Sequence, residues 1–178
     1  MSDTAASQQV TLEPASQSDA PVLANLLELY VHDLSPVFGL ELGPDGRFGY
    51  EKLPLYWSQP EQRLAFLVRC AGRLAGFALV TRGSPGSDDP QALDVAEFFI
   101  VRRHRRAGVG REAAFLLWDR VPGSWIVRVS EGNQPGCDFW SGTVAAYAPG
   151  AFQRSARPGK THPWRVFSFA TRSRAPLG

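Results

Sequence analysis

The chain has 178 residues, is 44% hydrophobic and carries a formal net charge of +2 at pH 7. That is enough apolar content for one domain with its own core, and too balanced a charge for a field that would draw the whole molecule to nucleic acid or a membrane. No apolar run reaches the ~20 residues that span a bilayer, the polar start MSDTAASQQV lacks the pattern of a secretory signal, and two cysteines are too few for a disulfide framework.

Residues 1–9 read as a disordered lead-in. VTLEPAS, from Val10 to Ser16, alternates apolar and polar side chains and predicts a strand. Ser18 or Asp19 can cap the helix that follows, and Pro21 fits its first turn. Val22, Leu23, Leu26, Leu27 and Tyr30 then share one apolar face. From Ser35 to Pro60 the pattern breaks into Gly, Pro and aromatics, with room for short helical turns. A loop of that length inside a compact domain is more often functional than idle.

Leu64 to Val68 and Leu74 to Val80 predict a hairpin about Ala71-Gly72. GSPGSDDPQ is a loop by composition, and ALDVAEFFIV a strand. Ala114, Leu117, Trp118 and Val121 recur at helical spacing before Gly123. SWIVRVS is a further strand, EGNQPGCDFWSGTVAAYA a turn and a helix from near Pro135, and GAFQRSAR and WRVFSFATR a final pair of strands. One β-α-β-α run among antiparallel hairpins predicts an α/β sheet of mixed direction covered by helices. Cys70 and Cys137 read as free, buried thiols of a cytoplasmic protein. His32, His104 and His162 show no metal-ligand spacing.

VRRHRRAGVGRE, from Val101 to Glu112, follows the strand directly and opens a helix at its glycines. The first N–H groups of a helix have no intrahelical partner, and the helix dipole adds positive charge there. Glycines let an anion approach that backbone, and arginines add charge-assisted contacts. In physical terms this is a pyrophosphate cradle. It has no Gly-Lys-Ser/Thr, so it is not a nucleoside-triphosphate loop. Ala113 stands where a dinucleotide fingerprint has its third glycine, and no ribose-binding acid follows about twenty residues on.

Arg105-Arg106-Ala107-Gly108-Val109-Gly110 resembles the Arg/Gln-x-x-Gly-x-Gly/Ala signature of the GNAT superfamily of N-acyltransferases. Asn133 followed by Phe139-Trp140 resembles that family's second cofactor motif, and VTLEPASQSDAPVLANLLELY its first strand and helix. The resemblance covers Val10 to Thr171. It implies a mixed, mostly antiparallel sheet of six to seven strands flanked by about four helices, in a single domain over residues 10–178. It also implies transfer of an acetyl group from acetyl-CoA, a co-substrate, to an amine of a small molecule or peptide within a ternary complex. No metal, nucleic acid or membrane is implied, and members often form homodimers.

Residue by residue, the resemblance implies that the backbone of Phe98, Phe99 and Ile100 pairs with the pantetheine arm as an added strand would. Arg105 and the amides of Arg106, Ala107, Gly108, Val109, Gly110 and Arg111 would hold the pyrophosphate. Asn133 would bond the pantetheine, and Phe139 and Trp140 would pack against it. Arg102, Arg103 and His104 would face solvent or the adenosine 3′-phosphate. Glu97, just ahead of the cofactor-contacting segment, is the candidate general base, with a structural ion pair as its other reading. Trp140 stands where many members carry a tyrosine that protonates the leaving thiolate, and an indole is no useful acid. Tyr147 is the candidate substitute, a core aromatic being its other reading. The acceptor pocket is expected at Tyr30, His32, Asp33, Tyr56 and Trp57, an aromatic-and-acid mixture that suits a cationic amine; helix-end and core roles are the alternative for each. Two other functions stay open: a non-catalytic CoA-binding sensor or scaffold, which Trp140 keeps alive, and an arginine-mediated nucleic-acid module, which the near-neutral charge opposes.

Overall fold

Seven strands in the order β1-β2-β3-β4-β5-β7-β6 make one sheet, and every neighbouring pair is antiparallel except β4 and β5. The computed structural model describes residues 9–171. The strands are β1 (Val10–Pro14), β2 (Arg63–Cys70), β3 (Arg73–Arg82), β4 (Leu93–Ile100), β5 (Ser124–Ser130), β6 (Phe152–Arg157) and β7 (Trp164–Ala170). The helices are α1 (Ala20–Phe38), α2 (Leu55–Ser58), α3 (Val109–Arg120) and α4 (Gln134–Tyr147). The expected lead-in lies, but for Gln9, outside the described residues.

Tight turns and crossovers account for the directions. Ala71 and Gly72, at φ 49° and 74°, form the kind of two-residue turn that joins twisted antiparallel strands. The parallel pair needs a crossover, and α3 supplies it. The apolar residues then divide between the two faces. Val95, Ile100, Val127 and Phe167 pack with Val109, Leu117 and Trp118 of α3 and Trp140 and Val144 of α4. Leu23, Leu26 and Leu27 of α1 pack with Tyr56, Leu67, Phe77, Leu79 and Phe99 on the other side. Cys70 and Cys137 are buried and form no disulfide.

The first helix departs from expectation at both ends. A short 3-10 turn, Gln17–Asp19, precedes it, and Asp19 reaches back to accept from Ser16 N–H at 2.8 Å and Ser16 Oγ at 2.7 Å. At its other end α1 continues through Pro36 into the stretch expected to be irregular. Proline withdraws the N–H that the His32 carbonyl would accept. The Ser35 hydroxyl donates to that carbonyl instead, at 2.8 Å, and the helix stops at Gly39 with φ 62°.

Candidate active site

Two features of β4 create the site. The first is a bulge. Leu79 of β3 faces Glu97, while Val80 faces Val95, so Ala96 is an extra residue on β4. Simple alternation would put Glu97 on the face of Val95, against α3. The extra residue turns it to the face of α1. The second is a fork. β4 pairs with β5 only from Leu93–Val95 to Trp125–Val127. Beyond that point β4 continues along β3 and β5 along β7, so the β4 edge that faces β5 loses its partner.

The exposed groups on that edge follow from the ladder. Val101 N–H donates to Ala75 O at 2.9 Å, so Phe99 and Glu97 also turn their peptide groups to β3. Phe98 and Ile100 present theirs to the fork. Arg105 Nε occupies the Ile100 carbonyl at 2.6 Å, which leaves Phe98 N–H and C=O and Ile100 N–H. Phe99, expected to pair with pantetheine, belongs instead to the β3 ladder and the α1-side core.

α3 begins beside the fork. Arg106 and Gly108 have φ of 62° and 81°, and the first intrahelical bond runs from Glu112 N–H to Gly108 O at 3.0 Å. Among the described residues no side chain caps this end, so the amides of Val109, Gly110 and Arg111 point outward. The two glycines serve different needs. A Cβ at Gly108 would meet nothing within 4 Å, so its backbone conformation is what requires glycine. A Cβ at Gly110 would lie 3.1 Å from Phe139, so there glycine admits α4. Arg106 and Arg111 are exposed, and Ala107, Arg103 and His104 line an open depression with Arg73, Cys70 and Ala71.

Arg105 and Asp33 are arranged otherwise than expected. Arg105 Nη2 donates to Asp33 Oδ2 at 2.6 Å, and its guanidinium lies 5.3 Å over the Phe99 ring. Arg102 Nη2 donates to Asp33 Oδ1 at 2.7 Å. Asp33, assigned to the acceptor pocket, thus clasps α1 to the strand-helix turn. Burial raises its pKa, but the hydrogen bonds and charges of the two arginines outweigh this and hold it below the ordinary carboxylate value.

On α4, Asn133 Oδ1 accepts from Gly136 N–H at 3.1 Å and caps the helix. Phe139 stacks on Phe98 at 6.0 Å, and Trp140 meets Phe98 edge-on at 5.1 Å. Tyr147 is two turns, about 10 Å, further along α4. Its hydroxyl donates to Asp119 Oδ1 at 2.9 Å, and its ring packs on Trp118 and Phe169. That position removes it from the role of acid at the fork.

Glu97 is gripped by two phenols. Tyr30 donates to Oε2 at 2.7 Å and Tyr50 to Oε1 at 3.0 Å. Burial raises the Glu97 pKa, and the two phenol hydrogen bonds only partly oppose it. Burial and the Glu97 charge raise the Tyr30 and Tyr50 pKa values well above that of free tyrosine, and push Tyr56 up to about 12. All three therefore stay protonated. The buried Tyr56 hydroxyl has no hydrogen-bond partner among the described residues.

Tyr50 was missing from the expected pocket. It sits in an aperiodic segment, and the only signal was that segment's length. Glu28 of α1 places it, accepting from Phe48 N–H at 2.8 Å and Gly49 N–H at 2.9 Å. Two expected pocket residues do other things. The His32 side chain is 73% exposed and lies edge-on to Phe48. Trp57 Nε1 donates to Ala15 O at 3.1 Å and fastens α2 beside β1.

A seven-stranded sheet forked at its one parallel pair, with an uncapped helix start beside the fork, is the GNAT fold, and this chain has it. An acetyltransferase from Thermus thermophilus matches with a TM-score of 0.68 and 20% identity, over 92% of this chain and 99% of that one. Spermidine N-acetyltransferase from Vibrio cholerae, in complex with CoA and spermine, matches with a TM-score of 0.62 and 14% identity, over 92% and 96%. The ribosomal-protein-S18-alanine N-acetyltransferase of Escherichia coli matches with a TM-score of 0.59 and 14% identity, over 95% and 98%. No protein-family model matches the chain, and no curated protein matches it by sequence.

Proposed function

We propose that the protein transfers an acetyl group from acetyl-CoA to an amine. The observation that carries this reading is the conjunction at the fork. An unpaired strand edge at Phe98 and Ile100 opens beside the uncapped start of α3, with the Glu97 carboxylate on the α1 side. The pantetheine amides would complete the β4 ladder, and the diphosphate would take the outward amides of Val109 to Arg111. The Asn133 side-chain N–H₂, which has no acceptor among the described residues, can bond the same arm. The three proteins of this fold named above include one described with CoA and spermine and one described for a protein alanine, so the fold alone leaves the size of the acceptor open.

The reaction asks little of the protein beyond position. The amine nitrogen attacks the thioester carbonyl, the C–N bond forms, the C–S bond breaks, and CoA leaves as its thiolate. Glu97 takes the proton that the amine releases. Its raised pKa makes it a stronger base than an exposed carboxylate while still ionised above that value. Tyr30 and Tyr50 aim it. Phe98 N–H, at the fork, can polarise the carbonyl. Trp140 lies buried against Phe98 and Trp118, so the thiolate departs without a side-chain acid.

Saturating acetyl-CoA tests the donor half of this reading. At one hundred times its Kd it should add about 2.7 kcal/mol of stability, which for a chain of this size raises Tm by about 5–10 °C. Differential scanning fluorimetry reads the shift, and its absence overturns the reading. A shift without thiol release toward any amine would favour a CoA sensor instead.

A further inference from the structure

Arg128 stands at the vertex of the fork. It follows Val127, the last β5 residue paired with β4. Its side chain leaves the sheet on the face of Asp94, whose Oδ2 accepts from Arg128 Nε at 2.8 Å. The guanidinium lies 5.3 Å over the Trp164 ring, and Trp164 is itself stacked on Phe38 of α1. From the loop before β4, a Cβ on Gly86 would come within 3.0 Å of Arg128 Cδ. Three sides of this arginine are therefore fixed, and its side chain is 18% exposed. Its two terminal nitrogens have no hydrogen-bond partner among the described residues. Asp94 is wholly buried and its second oxygen has no hydrogen-bond partner among the described residues, so it holds the arginine through Nε alone.

A guanidinium bound through Nε keeps a planar pair of N–H₂ groups, which matches the two oxygens of a carboxylate. The bulge brings Glu97 to the same face, close enough that the Arg128 charge counters the effect of burial on it. We propose that Arg128 is the acceptor-selecting residue, binding a carboxylate on the acceptor while Glu97 meets its amine, so that the substrate class is amino acids. This rests on the acetyl-transfer reading above. Charge narrows the choice further. Asp94 and Glu97 are the acids beside Arg128, and a phosphate dianion would be repelled by both. A polyamine would set its second ammonium against Arg128. A zwitterion matches both ends.

The test is thiol release from acetyl-CoA with the twenty standard L-amino acids, each beside its carboxamide, and with spermidine. Wild type, Arg128→Lys and the double variant Asp94→Asn/Arg128→Gln are compared. The double variant removes the buried pair together, so a failure to fold does not decide the outcome. Acetyl-CoA should raise the Tm of all three proteins. Wild type should turn over at least one free amino acid about 10- to 100-fold better in kcat/KM than its carboxamide, the range of a charge-assisted pair. That ratio should fall toward one in the double variant and partway in Arg128→Lys. Acetyl-CoA stabilisation with equal use of acid and amide, or with spermidine preferred, overturns the assignment of Arg128 alone. So does a ratio that survives in the double variant. Loss of acetyl-CoA stabilisation in wild type overturns the acetyl-transfer reading, and this assignment with it.

Discussion

As the proposed base, Glu97 serves two opposed ends. Its pKa in the folded protein is raised by burial, so ionising it costs stability. The sign follows from linkage. A carboxyl with a raised folded pKa favours the native state when protonated, and that advantage is lost as pH rises through the folded value. Above that raised value the folded protein therefore holds a charge it would be more stable without. Above the raised pKa, Glu97→Gln should raise Tm by about 2–4 °C for each kcal/mol recovered. The gain should shrink as pH falls below the raised pKa, where wild type is already neutral. The same variant should lose about 10²- to 10⁴-fold in kcat, the usual worth of a general base. Denaturation followed by fluorescence and CoA release followed by thiol titration check the two halves. A variant that gains no stability at any pH and is still active would remove Glu97 from the role.

At the scale of elements, the segment between α1 and α2 has almost no regular structure, yet it delivers Tyr50 to Glu97. Glu28 makes this possible by holding two successive amides, Phe48 and Gly49, from the side of α1. Glu28→Ala should release Tyr50, remove one donor from Glu97 and raise its pKa further. The acid limb of the kcat/KM profile should then move to higher pH. Tyr50→Phe should move it by the same amount, and the double variant should move it no further. A profile that stays in place while Tm falls would reduce Glu28 to a structural tether. The contrast with the rest of the chain is instructive. The hairpin about Ala71-Gly72, the strand before the basic stretch and the helix opening at Gly108 were all legible, because alternation and glycine leave local marks. Tyr50 left none, since its place depends on hydrogen bonds to a helix twenty residues away. The Ala96 bulge was equally silent, yet it alone decides which face Glu97 takes. Asp33 misled because a helix-end acid near aromatics reads as a pocket residue until its arginine partners, remote in sequence, are in view.

Across the whole molecule, two apolar cores lie on opposite faces of the sheet, and α3 with its uncapped start belongs to one while α1 belongs to the other. Asp33 bridges them around the end of β4 by taking Arg102 and Arg105 on its two oxygens. Arg105 in turn bonds the Ile100 carbonyl, so the clasp fixes both the strand edge and the turn that leads to the helix start. Loosening it should weaken the grip on acetyl-CoA although no group of Asp33 need touch the ligand. Asp33→Asn should raise the acetyl-CoA Kd by about 2- to 30-fold, the range of such indirect couplings. The stability effect has a definite pH sign. The Asp33 pKa is held below its unfolded value, so its contribution is present above about pH 4 and is lost as pH falls through the lowered folded value. The Tm gap between wild type and Asp33→Asn should therefore be full at pH 7 and close in acid. Calorimetric titration with acetyl-CoA at pH 7, together with melting curves from pH 7 to pH 3, reads both. An unchanged Kd with a Tm gap that behaves as described would confine the clasp to joining the two cores and leave the helix start to hold its shape unaided.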